Sequence, residues 1–185
     1  MKKKIIITGG LGYIGTELCK LYSGVSWHHQ ITVIDNRFIS ERVNQIRNWN
    51  MEFIQGDILD KELINKYFKD ADIVHHLAGI TDVPRTKSES DSEKDKEIIE
   101  VGERGTQNIL DAISNKCKII FPSTHVVYEG INEVKKDIKE EEATKPVLSY
   151  SSSKAINEDQ LKKSGKNFII LRLGSVYGYS TDSMR

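Results

Sequence analysis

The stretch Lys4-Ile5-Ile6-Ile7-Thr8-Gly9-Gly10-Leu11-Gly12-Tyr13-Ile14-Gly15 decides the fold. Its isoleucines run consecutively instead of alternating with polar residues, as in a strand covered on both faces. Glycines at 9, 10, 12 and 15 satisfy both G-x-x-G-x-x-G and G-x-G-x-x-G just where the strand pattern gives way to a helical one. The first glycines permit a tight turn and close backbone approach to a pyrophosphate, and the last lets a helix pack against its strand. The helix start then offers unpaired N–H groups and the positive end of its dipole. An acid closes the next aliphatic run: Asp35 ends Ile31-Thr32-Val33-Ile34-Asp35, 20 positions after Gly15. A carboxylate there accepts hydrogen bonds from the hydroxyls of an adenosine ribose. Gly9, Gly10, Gly12, Gly15 and Asp35 thus predict a dinucleotide site. The charge of Asp35 repels a 2′-phosphate and favours NAD over NADP; Arg37, two residues on, keeps NADP as the minority reading.

Outward from this turn, strand and helix patterns alternate. Strands are predicted at 4–8, 31–35, 52–55, 72–77, 118–122 and 168–173, and helices at 13–23, 61–69, 93–115 and 149–164. Such alternation implies right-handed βαβ crossovers and a parallel sheet. The expected fold is α/β, a doubly wound parallel sheet of the Rossmann type, with residues 1–185 forming one NAD-binding domain.

Composition removes other classes. Lys plus Arg and Asp plus Glu both number 27, so the net charge is zero and nothing draws the chain globally to nucleic acid or to an anionic membrane. Cys19 and Cys117 lack any ligand spacing and read as reduced thiols. The basic start Met1-Lys2-Lys3-Lys4 is followed by three isoleucines, short of the roughly 7–15 apolar residues of a signal peptide. No run approaches the about 20 apolar residues of a membrane span, so a cytoplasmic protein is expected. No His, Asp or Glu grouping has metal-ligand spacing, and no metal is expected. The polar stretch 87–97 reads as a solvated loop and helix start, and Trp27 and Trp49 as packing residues.

Two further motifs carry chemistry. Tyr150-Ser151-Ser152-Ser153-Lys154 places a phenol and an ammonium four residues apart on one helix face. Lys154, aided by a positive nicotinamide ring, would lower the phenol pKa and make Tyr150 a general base or acid near neutrality. Alone, such a pair is an ordinary amphipathic helix. Phe121-Pro122-Ser123-Thr124 supplies hydroxyls where the fifth strand ends, and in a doubly wound sheet those ends line the ligand crevice.

Taken in order, these motifs make the chain resemble an extended short-chain dehydrogenase/reductase of the NAD-dependent epimerase/dehydratase family, which includes UDP-glucose 4-epimerase. The resemblance spans Ile5 to Gly178. TGGLGYIG resembles the family's dinucleotide turn and adds Tyr13 and Ile14 to the expected cofactor contacts; VIDN adds Asn36. Gly56-Asp57-Ile58 is similar to the segment whose acid contacts the adenine, which implies Asp57 and Ile58. His76-Leu77-Ala78-Gly79 looks like the segment whose backbone lies along the cofactor, which implies Leu77, Ala78 and Gly79. Leu171 to Gly178 is similar to the family's R-x-x-N-V-Y-G.

The resemblance implies roles as well. Tyr150 would exchange the proton, Lys154 would tune it and hold the nicotinamide ribose, and Thr124 would hydrogen-bond the reacting oxygen. The activity implied is epimerisation of a sugar nucleotide, a UDP-sugar first, through a 4-keto form. A reductase of a small carbonyl compound and a non-catalytic NAD sensor are the alternatives. A homodimer through the helices near 93–115 and 149–164 is also implied.

Some positions depart from the family pattern. Gly102 stands where asparagine is usual, Ser175 likewise, His125-Val126 replace the Asp-Glu of the dehydratases, and Tyr128-Glu129-Gly130 has one residue more than Y-G. Family members continue through a substrate-binding domain, so the expectation is a truncated chain that binds NAD and turns over sugar nucleotides poorly.

Overall fold

Consecutive branched residues in Lys4–Thr8 (β1) and Gln30–Asp35 (β2) give a strand pair buried on both faces, and the rest of the sheet grows from it. The computed structural model describes residues 2–81 and 91–178. Among these, β1 and β2 are joined by Glu52–Gln55 (β3), Ile73–His76 (β4), Lys118–Thr124 (β5) and Asn167–Leu173 (β6). All pairs are parallel and the order is β3-β2-β1-β4-β5-β6. The chain leaves β1 for β2 on one side and returns to β4 on the other. That reversal opens a crevice at the carboxyl ends of β1 and β4.

Side chains alternate across β1, so Ile5 and Ile7 face one layer while Ile6 faces the other. Ile5 and Ile7 pack with Cys19 of α1 (Tyr13–Ser23) and with Val43 and Ile46 of α2 (Ser40–Asn48). Ile6 packs with Ile64 of α3 (Lys61–Phe68), Ile109 of α4 (Ser92–Ala112) and Leu161 of α5 (Ser149–Lys163). Both cysteines are free and buried.

Helix α2 was not among the elements predicted. Val43 and Ile46 are its only branched apolar residues, too few to register as a period, although the parallel β2–β3 pair demands a crossover there. Strand β5 runs two residues past its predicted end, which places Thr124 on the strand itself. Helix α4 stops at Ala112 because Ile113 is extended and its carbonyl accepts from Lys166 Nζ at 2.7 Å. Of the stretch 87–97, residues 87–90 lie outside the described part; Asp91 caps α4 by accepting from Glu93 N at 2.9 Å. Trp49 packs on the core as expected, whereas Trp27 is 74% exposed.

Gly102 also finds its reason here. A side chain on it would overlap Ser153 Oγ of α5, and its carbonyl accepts from Asn157 Nδ2 at 3.0 Å. Helices α4 and α5 therefore cross backbone to side chain, and α5 sits close enough to carry its first turns into the crevice.

Candidate active site

The glycine turn is held by its own backbone. Gly9 has φ +66°, its N–H donates to Ile34 O at 2.8 Å, and Gly12 N donates back to Gly9 O at 3.0 Å. A Cβ on Gly9 would lie 2.7 Å from Ala78 N, and one on Gly15 would overlap Gly9 O. Asp35 sits under this turn, 5% exposed. Its Oδ2 accepts from Leu11 N at 3.0 Å, while Oδ1 accepts from Arg37 N at 3.0 Å and Arg37 Nε at 3.3 Å. Buried Arg42 donates to Leu11 O, so Leu11 is held by both its N–H and its C=O. Arg42 escaped the sequence reading because α2 did.

The β4 side is set by a buried relay. Thr8 Oγ1 accepts from Ala78 N at 3.1 Å and lies 3.0 Å from His76 Nδ1, while His76 Nε2 lies 3.0 Å from Thr106 Oγ1. Both ring nitrogens of His76 are thus engaged by hydroxyls, each able to donate or accept, which suits a neutral imidazole. Burial, with the Lys154 charge second, lowers the His76 pKa from 6.5 to about 3. His75, hydrogen-bonded to Tyr22 Oη at 2.8 Å, is lowered by burial to about 4.

A pH dependence follows. An unfolded chain takes up a proton at each histidine near 6.5 while the folded one refuses it, so stability is full above pH 6.5 and is lost as pH falls toward 3. For His76 alone the loss between pH 7 and pH 4 is on the order of 3 kcal/mol. Urea midpoints measured across that range should fall steeply in the wild type and less steeply in His76→Gln. Parallel slopes would remove His76 from the account.

The third wall comes from β5 and α5. Lys154 is buried, donates from Nζ to Pro122 O at 3.0 Å, and lies 4.5 Å from the Phe121 ring centroid and 5.8 Å from that of Tyr150. Burial lowers its pKa to about 8, so it remains largely charged at neutral pH. Burial also raises the Tyr150 phenol above its ordinary value. This is the effect of burial in the protein alone, whereas the lowering expected from the sequence includes the positive charge of a nicotinamide ring. Thr124 is buried, and its Oγ1 accepts from Val126 N at 3.3 Å, opening the 3-10 turn His125–Tyr128.

Beneath Thr124 lies an ionic brace. Ser123 Oγ donates to Glu158 Oε1 at 2.7 Å, and Arg172 grips Glu158 with Nε at 2.9 Å and Nη2 at 2.6 Å. Arg172 also donates to Tyr128 Oη and to Glu140 O. Burial works against the Glu158 charge, yet the bonds from Arg172 and Ser123 outweigh it and hold the carboxyl below its ordinary value. Arg172 therefore ties β6, α5 and the turn after β5 together.

These walls enclose one cleft of about 560 Å³. It gathers Gly9, Gly12, Tyr13, Ile14, Gly15, Asp35, Asn36, Ile58, Leu77, Ala78, Gly79, Thr124, Tyr150 and Lys154. Gly10 and Asp57 are not on its lining. Gly10 packs its Cα on Val33, where a side chain would overlap Val33 Cγ1. The Asp57 carboxylate turns to Leu59 N at 2.9 Å and Asn36 Nδ2 at 3.4 Å. Gly56, Val101, Leu173, Gly174 and Val176, not among the site residues expected from the sequence, also line the cleft; Ser175, between two of them, is exposed and does not. From the end of β2 to that of β5 is three strand spacings, about 14 Å, so the ribose-type carboxylate and the Tyr/Lys pair face opposite parts of the cleft. The described residues hold no group of three potential metal ligands and no helix long and apolar enough to cross a membrane.

A nucleotide-binding parallel sheet with a Tyr/Lys pair at its carboxyl edge defines the class. More specifically, the chain belongs to the NAD dependent epimerase/dehydratase family, whose model matches residues 5–185. It is 38% identical over 130 residues to UDP-N-acetyl-alpha-D-glucosaminuronate decarboxylase of Bacillus cytotoxicus, covering 69% of this chain and 38% of that protein. It is 30% identical over 197 residues to dTDP-D-glucose 4,6-dehydratase of Dictyostelium discoideum, covering 95% and 44%. In three dimensions it matches UDP-glucuronic acid 4-epimerase from Bacillus cereus, crystallised with NAD, with TM-score 0.76 and 26% identity over 95% of this chain and 57% of that one. The chain thus spans less than two thirds of these relatives.

Proposed function

We propose that this chain forms the NAD-holding and proton-transferring part of a sugar-nucleotide epimerase that oxidises the sugar transiently at C4. The observation that carries the reading is the single cleft in which the glycine turn and Asp35 face one part and Thr124, Tyr150 and Lys154 the other. The residues suit a dinucleotide: the absent Cβ atoms at Gly9 and Gly15 leave the turn tight enough for close approach, and Asp35 is fixed from two directions. Bound there, NAD would supply the acceptor and returner of a hydride at the sugar carbon. Tyr150 takes the C4 hydroxyl proton as the ketone forms and returns it to the same oxygen when the turned-over ketone regains its hydride on the other face of C4. Thr124 hydrogen-bonds the same oxygen and aims it, and the Lys154 ammonium favours the phenolate.

Return of the hydride to C4 suits this chain better than elimination, because His125 and Val126 follow Thr124 and neither is a carboxylic acid. His125 Nδ1 lies 3.2 Å from Leu173 O. A UDP-sugar is the proposed substrate and a second copy of the chain the proposed partner. Calorimetry of the 185-residue chain should show one NAD site, with NADP weaker by about tenfold or more. UDP-sugars incubated with the NAD-loaded chain should yield the C4 epimer at a low rate with no net NADH. Failure to bind either dinucleotide, or steady NADH release, would overturn the reading.

A further inference from the structure

The excursion from Ile131 to Leu148 leads from β5 to the first turn of α5, and three consecutive residues hold it in place. Tyr128 Oη donates to Lys139 O at 3.1 Å and so pins the middle of the excursion. Gly130 N donates to Lys145 O at 2.8 Å, a contact that needs a glycine because a Cβ there would lie 2.6 Å from that same oxygen. Lys145 N in turn donates to Val127 O at 2.8 Å. Between them stands Glu129. Its Oε1 accepts from Val147 N and Leu148 N, both at 2.7 Å, and from Ser151 Oγ. One carboxylate oxygen therefore gathers the two amides just before α5 and a hydroxyl of its first turn. Tyr150 lies between these anchors in sequence.

We propose that Glu129 is a positioning residue that sets the Tyr150 phenol against the Thr124 hydroxyl by clamping the start of α5 to the turn that follows β5. Both hydroxyls must reach one substrate oxygen, and they sit on separate elements. Thr124 is fixed by the strand and by the Ser123–Glu158–Arg172 brace. Among the described residues Tyr150 has no such brace at its own level, and the clamp supplies it: Glu129 stands five residues after Thr124, and its partners Leu148 and Ser151 flank Tyr150. The oxygen is well suited to the task, since charge-assisted bonds to N–H groups are about twice as strong as neutral ones. The inference rests on the catalytic reading of Tyr150, yet the geometry can be tested without cofactor or substrate.

The test follows the Tyr150 phenol by phenolate absorbance, as the difference between each protein and its Tyr150→Phe counterpart. In the wild type, burial holds this phenol above its ordinary value. In Glu129→Ala the first turn of α5 loosens, the phenol meets water, and its midpoint falls toward about 10. Glu129→Gln keeps an oxygen at the same reach and should recover part of the shift. Amide exchange at Val147 and Leu148 should quicken about tenfold or more in Glu129→Ala while β1 keeps its rates. NAD affinity should stay within about twofold, because the glycine turn and Asp35 are untouched. If Glu129→Ala does not fold, Glu129→Gln decides alone through the same midpoint and exchange rates. Unchanged midpoints and exchange in the folded variants overturn the proposal, as does a loss of NAD binding equal to the loss of positioning. Should the wild type itself not bind NAD, the functional reading fails while the phenol and exchange data still judge the clamp.

Discussion

Gly9→Ala should weaken NAD binding about a hundredfold or more while leaving a folded chain, and calorimetry beside thermal melting will show it. Two independent costs converge on this position. At φ +66° an alanine is strained by about 1–2 kcal/mol. The added methyl would also meet Ala78 N at 2.7 Å, Ala78 Cα at 2.8 Å and Leu77 C at 2.9 Å. All three are backbone atoms of the segment after β4, so no side-chain rotation relieves the contact. The turn must move away from β4, and Gly12 N, which donates to Gly9 O, moves with it. A shift of the turn alters every N–H aimed at a phosphate, and a hundredfold is about 2.7 kcal/mol of binding. Gly24→Ala is the control: its φ is −66° and a Cβ there meets nothing within 4 Å, so both melting and affinity should hold. Wild-type affinity in Gly9→Ala would mean that the pyrophosphate does not rest on this turn.

What the sequence made legible follows from how local each constraint is. The glycine turn and Asp35 were readable because backbone conformation and close approach restrict those positions whatever surrounds them. The consecutive isoleucines of β1 likewise announce burial on both faces. Arg42 was not readable: it reaches Leu11 only because α2 folds back over β2, and two apolar residues in nine do not declare that helix. Asp57 sits where the family resemblance places an adenine contact, and its own partners, Leu59 N and Asn36 Nδ2, come into view only in the structure. Glu129 is further still from legibility, since its partners lie 18 to 22 positions away across an irregular excursion. The direction of the Tyr150 shift needed the structure as well. Spacing shows that an ammonium is near; it does not show how much water the phenol has lost.

That balance makes Tyr150→Phe the most informative change at the chemical end. Removing one oxygen leaves the ring against Lys154, so NAD affinity should remain within about twofold, while conversion of a UDP-sugar should fall about 10²–10⁴-fold, the usual worth of a positioned proton-transfer group. The phenol is raised by burial, and although Lys154 stays largely charged at pH 7, in the protein alone the phenol does not reach a value that favours a phenolate there. A second positive charge in the cleft is then needed, and the nicotinamide ring is the one that the proposed function provides. Saturating NAD should therefore lower the Tyr150 midpoint, read as the absorbance difference against Tyr150→Phe, and Lys154→Met should shrink that drop. The sign with pH is fixed too: with NAD bound, the rate rises as Tyr150 ionises and falls at higher pH as Lys154, whose pKa burial lowers, sheds its proton. A Tyr150→Phe protein that converts substrate at the wild-type rate, or a phenol indifferent to NAD, would take the proton transfer away from Tyr150 and give it to another group on the same cleft.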